Sequence, residues 1–345
     1  MKKQQATEYM YASARISALE NRMVGRERVS ALIDAKGRAG VMAKLGELGD
    51  AYRLPSPSEG ETFTDGEAES RATEAMLLAI LRKAFADVQE SVPDAMVYRY
   101  FRYPYDCNNV KAMLKCEIRD ADPEGMLFDF GSIPTETLRT ALREGKYDLL
   151  PPAMARGVRE AKDAFAKTGD PRLIDTILDK ACYADMLSSA KMTGCDALVS
   201  WVKTRIDLLN VMICVRILRM KRGEAGKLFM KEALLADGYL ESSFFEKAYS
   251  EGEDALWQGL MRQYYGFVRA VDASNKSLAA IEKCADDYHM TLVRESARVP
   301  FGAEVAGGYL LGCETAVKNI RIILAAKDAD LAPDVIRERV RESYV

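Results

Sequence analysis

Histidine occurs once in the chain, at His289, and tryptophan twice, at Trp201 and Trp257. A single imidazole excludes every metal site or proton relay that needs two. The seven cysteines (107, 116, 182, 195, 214, 284 and 313) are odd in number, and no two are closer than nine positions. Zinc ribbons and CxxC dithiols are thereby ruled out. Scattered thiols in a chain of 345 residues read as reduced and buried, in a cytosolic setting. Charge of one sign is also lacking: Lys plus Arg total 49, Asp plus Glu 52, and the net charge is −3. Nothing in that balance calls for a nucleic-acid partner or an anionic surface.

Long hydrophobic runs are missing too. The longest stretch without a charge is Val305–Cys313, with three glycines inside it, whereas a membrane span takes about 18 to 20 apolar residues. No apolar run follows Met1-Lys2-Lys3-Gln4-Gln5, so no secretory signal is expected. The expectation is a chain without a transmembrane segment, cytoplasmic or peripheral on a membrane. With hydrophobic residues at 48% and only 11 prolines, it should build large cores.

Helical periodicity is what the sequence does contain. Tyr9, Ala12, Ile16, Leu19 and Met23 recur at steps of three and four. Between Arg53 and Arg71 lies a loop at 54–70 with two prolines and five acids and no base, closed by a capping box at Thr64 and Glu67. Asp170-Pro171 predicts an N-cap with proline at the first helical position, and Ala332-Pro333-Asp334 opens a last short helix in the same way. Eight uncharged residues from Leu208 to Val215 mark a buried helix. Its end carries Arg216, Arg219, Lys221 and Arg222, with Gly223 as a stop. Cations there complement the helix dipole; a partner-binding patch is the sharper reading, resting on charge alone. The Val-, Ile- and Thr-rich alternation of strands is absent, so the fold class is all-α.

A long-period repeat gives the architecture. Asp106-Cys-Asn-Asn109-Val110, Asp207-Leu-Leu-Asn210-Val211 and Ala316-Val-Lys-Asn319-Ile320 each place an asparagine before a β-branched residue in an apolar helix, 101 and 109 positions apart. A looser echo follows each: Gly131-Ser-Ile133, Gly238-Tyr-Leu240 and Ala329-Asp-Leu331. An amide inside an apolar helix must be hydrogen-bonded, so three of them at one place predict one inter-helix contact built three times. Three similar units follow, at about 1–125, 126–235 and 236–345.

Catalytic signatures fail on inspection. Asp129-Phe130-Gly131 has no catalytic loop before it and reads as a turn. Gly223-Glu-Ala-Gly226-Lys227-Leu228 lacks the spacing and the hydroxyl of a phosphate loop. His289 reads as a surface or satisfied residue on a helix. Tyr98–Tyr105 interleaves aromatics with Arg99 and Arg102, which suits base stacking, but packing at the end of a helix starting at Asp106 is the expectation. No cofactor, metal, nucleic acid or small-molecule substrate is expected. The residues themselves leave open a cytosolic helical-repeat adaptor and an α-helical enzyme working without histidine.

The runs Leu173–Tyr183, Ile206–Asn210 leading to Leu218-Arg219, and Tyr309-Leu-Leu-Gly-Cys-Glu314 through Asn319-Ile320-Arg321 to Tyr344-Val345 resemble the C-type subunit of the archaeal and bacterial V-type ATPases and ATP synthases. Its eukaryotic counterpart is the d-type subunit. The resemblance implies a non-catalytic, all-helical funnel of three units around a pseudo-threefold axis, seated on the cytoplasmic face of the membrane proteolipid ring and receiving the central stalk. Partners would be the stalk subunits and the ring; the basic helix end and Arg337, Arg339 and Arg341 are contact candidates on charge alone. The sequence departs from the family pattern at Ala316, where a second acid after the one matched by Glu314 is usual.

Overall fold

In a computed structural model, residues 7–54, 66–221 and 223–345 are described, and among them every regular element is helical. Arg222 and the acidic loop at 55–65, with Thr64 of the expected capping box, lie outside the described residues. In chain order the helices are α1 (Met10–Glu20), α2 (Arg26–Asp34), α3 (Gly37–Gly46), α4 (Gly66–Ser91), α5 (Ala95–Arg119), α6 (Thr135–Glu144), α7 (Pro152–Thr168) and α8 (Arg172–Thr193). They continue with α9 (Asp196–Met220), α10 (Gly223–Ala233), α11 (Ser242–Glu251), α12 (Glu253–Leu260), α13 (Tyr265–Asp272), α14 (Leu278–Ser296), α15 (Ala303–Asp328) and α16 (Pro333–Arg337). The chain divides into two compact units: Asp94–Ala285, and the residues up to Pro93 together with Asp286–Val345.

In the first unit α8 is the hub, packed against α5, α7 and α9. Gly157 lets α7 close on α8, since a Cβ there would stand 2.8 Å from the Ala181 methyl. Along the α5–α8 seam, Lys111 and Lys115, one turn apart, meet Asp179 at 2.5 Å and Asp175 at 2.6 Å. Trp201, Leu178, Leu198, Ile206 and Val211 fill the core, as the apolar run at 208–215 requires.

Three helix boundaries differ from the sequence reading. Helix α5 begins at Ala95, where the Asp94 side chain accepts from the Met96 N–H at 2.8 Å, and it runs straight through Pro104. The Tyr98–Tyr105 stretch is therefore inside a helix, with Tyr100, Phe101 and Tyr103 buried; their burial outweighs the hydrogen bond that proline removes. Helix α9 ends on Lys221 in the left-handed region (φ 50), and Gly223 starts α10 instead of stopping α9. Helix α8 starts one residue after Pro171, with Asp170 accepting from the Arg172 N–H at 2.9 Å.

In the second unit α15 is the hub, packing against α1, α2, α3 and α4. Ile16, Leu32, Leu45, Leu77, Phe85 and Ile320 form its core, so the stripe on α1 faces inward. Arg38 ties α3 to Glu69 at 3.0 Å and to Asp328 at 2.7 Å, and Arg321 pairs with Glu74. All seven cysteines are free thiols, with only Cys284 partly exposed.

Candidate functional site

The three repeated asparagines make one contact three times, with a non-helical returning segment and not, as expected, between helices. Asn109 Nδ2 donates to the Phe128 carbonyl at 2.8 Å while the Phe128 N–H donates to Asn109 Oδ1 at 2.8 Å. Asn210 does the same with Leu235, at 2.9 and 2.8 Å. Asn319 repeats it with Arg341, at 2.9 and 2.7 Å. Each amide thus clasps the single backbone unit of a returning segment, satisfying donor and acceptor together. All three asparagines are buried, which explains how an apolar helix tolerates them.

One turn before two of the asparagines stands a buried aspartate that sequence reasoning passed over. Asp106 Oδ2 accepts from the Ser132 N–H at 3.0 Å and from the Ser132 hydroxyl, and Oδ1 accepts from the Ile133 N–H at 3.1 Å. Asp207 accepts from the Tyr239 N–H at 3.0 Å, the Leu240 N–H at 3.2 Å and the Tyr264 hydroxyl at 2.5 Å. In both turns a glycine makes the approach possible, because a Cβ on Gly131 or Gly238 would overlap the carboxylate. The signal was present as the spacing Asp-x-x-Asn, which sets both side chains on one helix face.

The third copy differs. Ala316 occupies the aspartate position, and the carboxylate comes from another helix: Asp287 of α14 accepts from the Glu342 N–H at 2.6 Å. The Ala329–Leu331 echo is not the counterpart of Gly131–Ile133, since Asn319 reaches ten residues beyond Leu331, to Arg341. Asp185 of α8 likewise accepts from the Ala153 and Met154 N–H groups at the start of α7, at 3.1 and 2.9 Å.

Burial pushes the Asp106 carboxyl up to about 6, against the hydrogen bonds from Ser132 and Ile133. Burial also raises Asp207 and Asp185. The sign follows from linkage: a folded-state value above the ordinary 3.8 means that the native state takes the proton first. The contribution of Asp106 to stability is fully present below about pH 4 and lost as pH rises through about 6, a swing of about 3 kcal/mol. We expect Asp106→Asn to lie below the parent at pH 4, because an amide nitrogen cannot accept from the Ser132 or Ile133 N–H, and the gap to narrow by up to that amount as pH rises to 7; urea unfolding of both proteins across this range checks it.

The basic helix end is partly consumed within the fold. Arg219 forks onto Glu253 at 2.6 and 3.0 Å and donates to the Lys276 carbonyl at 2.8 Å. Arg216 stands 3.8 Å from Glu282, and Lys221 is exposed; Arg222 lies outside the described residues. Arg337 pairs with Asp34 and Asp334, and Arg341 with Asp286 at 3.0 Å, while Arg339 is exposed. His289 is half-buried on α14 and has a partner. Among the described residues no cluster of His, Cys, Asp and Glu has the makings of a metal site, and no helix is long and apolar enough to cross a membrane.

Residues 12–339 match the model of the ATP synthase (C/AC39) subunit family. The chain is 23% identical over 265 residues to the C-type subunit of the V-type sodium ATPase of Enterococcus hirae, covering 76% of this chain and 80% of that one. It is 23% identical over 347 residues to the C-type subunit of the A-type ATP synthase of Thermococcus kodakarensis, covering 97% and 91%. With the corresponding A-type ATP synthase subunit of Methanocaldococcus jannaschii it shares 24% over 352 residues, covering 95% and 85%.

Proposed function

The chain belongs to the ATP synthase (C/AC39) subunit family, a structural part of the rotary machine and not its catalytic one, and from that premise we propose that it couples the rotor. In this reading it links the central stalk to the membrane proteolipid ring on the cytoplasmic face, so that torque is coupled to proton or sodium translocation. The observation that carries the reading is the asparagine clasp, made three times at near-equal spacing in a chain that matches the family along nearly its whole length. It supports three similar units, about 1–125, 126–235 and 236–345, set around a pseudo-threefold axis as a socket for the stalk. A coupling element needs stiffness and matched surfaces, which doubly hydrogen-bonded returns supply, and it needs no nucleophile or base. The exposed Arg216 and Lys221 are the cations we assign to partner contact from the basic helix end.

The test is a pull-down of the pure chain against the detergent-solubilised ring and, separately, the stalk subunits. Binding to both is expected, and failure to bind either refutes the role. Solution scattering tests the arrangement: a hollow, wedge-like profile is expected, and a compact sphere counts against the socket.

A further inference from the structure

The turn between α1 and α2, the end of α14 and Tyr344–Val345 line an open cleft of about 850 Å³, within the size range of small-ligand and peptide sites. Its four cations are all arginine: Arg26, Arg28, Arg294 and Arg298. Arginine is the cation whose planar fork matches a carboxylate. Arg28 is fixed in place by donating to the Met23 carbonyl at 2.6 Å and the Asn21 carbonyl at 3.2 Å. Arg26 and Arg294 converge on one internal carboxylate, that of Glu342, at 3.1 Å from Arg294. Arg298 is exposed and has no side-chain partner among the described residues.

We propose that this cleft docks an acidic segment of a partner polypeptide, with Arg298 and the outward side of Arg26 taking its carboxylates. The pairing of Glu342 with Arg26 and Arg294 shows that this wall already holds a side-chain carboxylate. A polypeptide fits better than a lipid surface for two reasons. The site is concave, and Glu20 and Glu27 in its lining, which repel carboxylate and phosphate alike, accept the N–H groups that a peptide backbone supplies. The floor near Met23 and Tyr344 offers apolar contact to the segment's own side chains. This inference stands on the cleft alone and does not depend on the rotor role.

Fluorescence anisotropy of a labelled hexaglutamate peptide on the full chain tests it. Saturable binding at low salt is expected, weakened by added salt and reduced about tenfold or more by Arg298→Glu. Since Arg298 has no side-chain partner among the described residues, the circular dichroism and unfolding midpoint of that variant should match the parent. Lys247→Glu, the same charge change at an exposed lysine that does not line the cleft, should leave the affinity unchanged. Absence of binding overturns the proposal, as does equal weakening by both variants. Binding to phosphatidylglycerol vesicles that is lost in Arg298→Glu, with no affinity for the peptide, would overturn it in favour of a lipid site.

Discussion

Replacing Asn210 by leucine should destabilise the protein by about 4 kcal/mol. Leucine has the branching of asparagine with bulkier ends, so no cavity opens and the cost is polar, with some crowding of the methyl groups against the Leu235 backbone. The Leu235 N–H and carbonyl, both engaged by the Asn210 amide, lose their partner together in a buried setting. An orphaned buried donor or acceptor costs about 1–3 kcal/mol, and two are orphaned here. For a protein of this size, such a loss lowers the melting temperature by roughly 10 °C. Asn109→Leu and Asn319→Leu break the same pair of bonds but should cost less, because Phe128 and Arg341 are half-buried and water can take up part of what is lost. Asn108→Leu, at an exposed neighbouring position, should stay within about 0.5 kcal/mol. Urea unfolding of the four variants decides the matter. A shift below about 1 kcal/mol at Asn210 would mean that water replaces the amide, and the clasp would then not be what holds the return.

The clasp was legible because a costly residue was repeated where apolar ones belong. An amide in a buried helix demands two partners, and its spacing announced that the partners recur. What the amide bonds to was not legible, since Phe128, Leu235 and Arg341 lie 19, 25 and 22 residues downstream in segments without a shared pattern. The aspartates were visible as Asp-x-x-Asn but were passed over, because acids in helices are usually solvated. In the third copy even that signal is missing: Asp287 sits on another helix, where only the fold brings it to Glu342. Pro104 misled the reading for a related reason. Local propensity sets a boundary at proline, but three buried aromatics on the preceding turns outweigh it. The pairing of the residues up to Pro93 with Asp286–Val345 depends on which apolar stripes meet α15, and periodicity within one helix carries no information on that.

Tyr344→Ala should cost about 3–4 kcal/mol, with the loss centred on α1 and α15. The ring lies over two glycines one turn apart on α15: a Cβ on Gly308 would stand 2.9 Å from Tyr344 Cε2, and one on Gly312 2.8 Å from Tyr344 Cβ. Truncating the tyrosine strips the ring from the two glycines and leaves only the Met23 and Ala297 side chains against them. Its hydroxyl is bonded to the half-buried Glu20 carboxyl, whose value burial raises. The neighbouring bonds show that the segment is held residue by residue: Arg341 by Asn319, Glu342 by Asp287, the Ser343 carbonyl by Arg294 at 3.2 Å, and the Val345 carbonyl by the Arg26 N–H at 3.0 Å. Tyr344→Phe keeps the ring and removes only the Glu20 bond, so it should cost about 1 kcal/mol. Gly312→Val should reproduce most of the alanine effect from the other side, since its branches displace the ring. Native-state hydrogen exchange gives the readout. Amides of α1 and α15 should lose protection together in Tyr344→Ala and Gly312→Val, and only slightly in Tyr344→Phe. Equal losses in the alanine and phenylalanine variants would place the anchor in the hydroxyl and not in the packing of the ring on the two glycines.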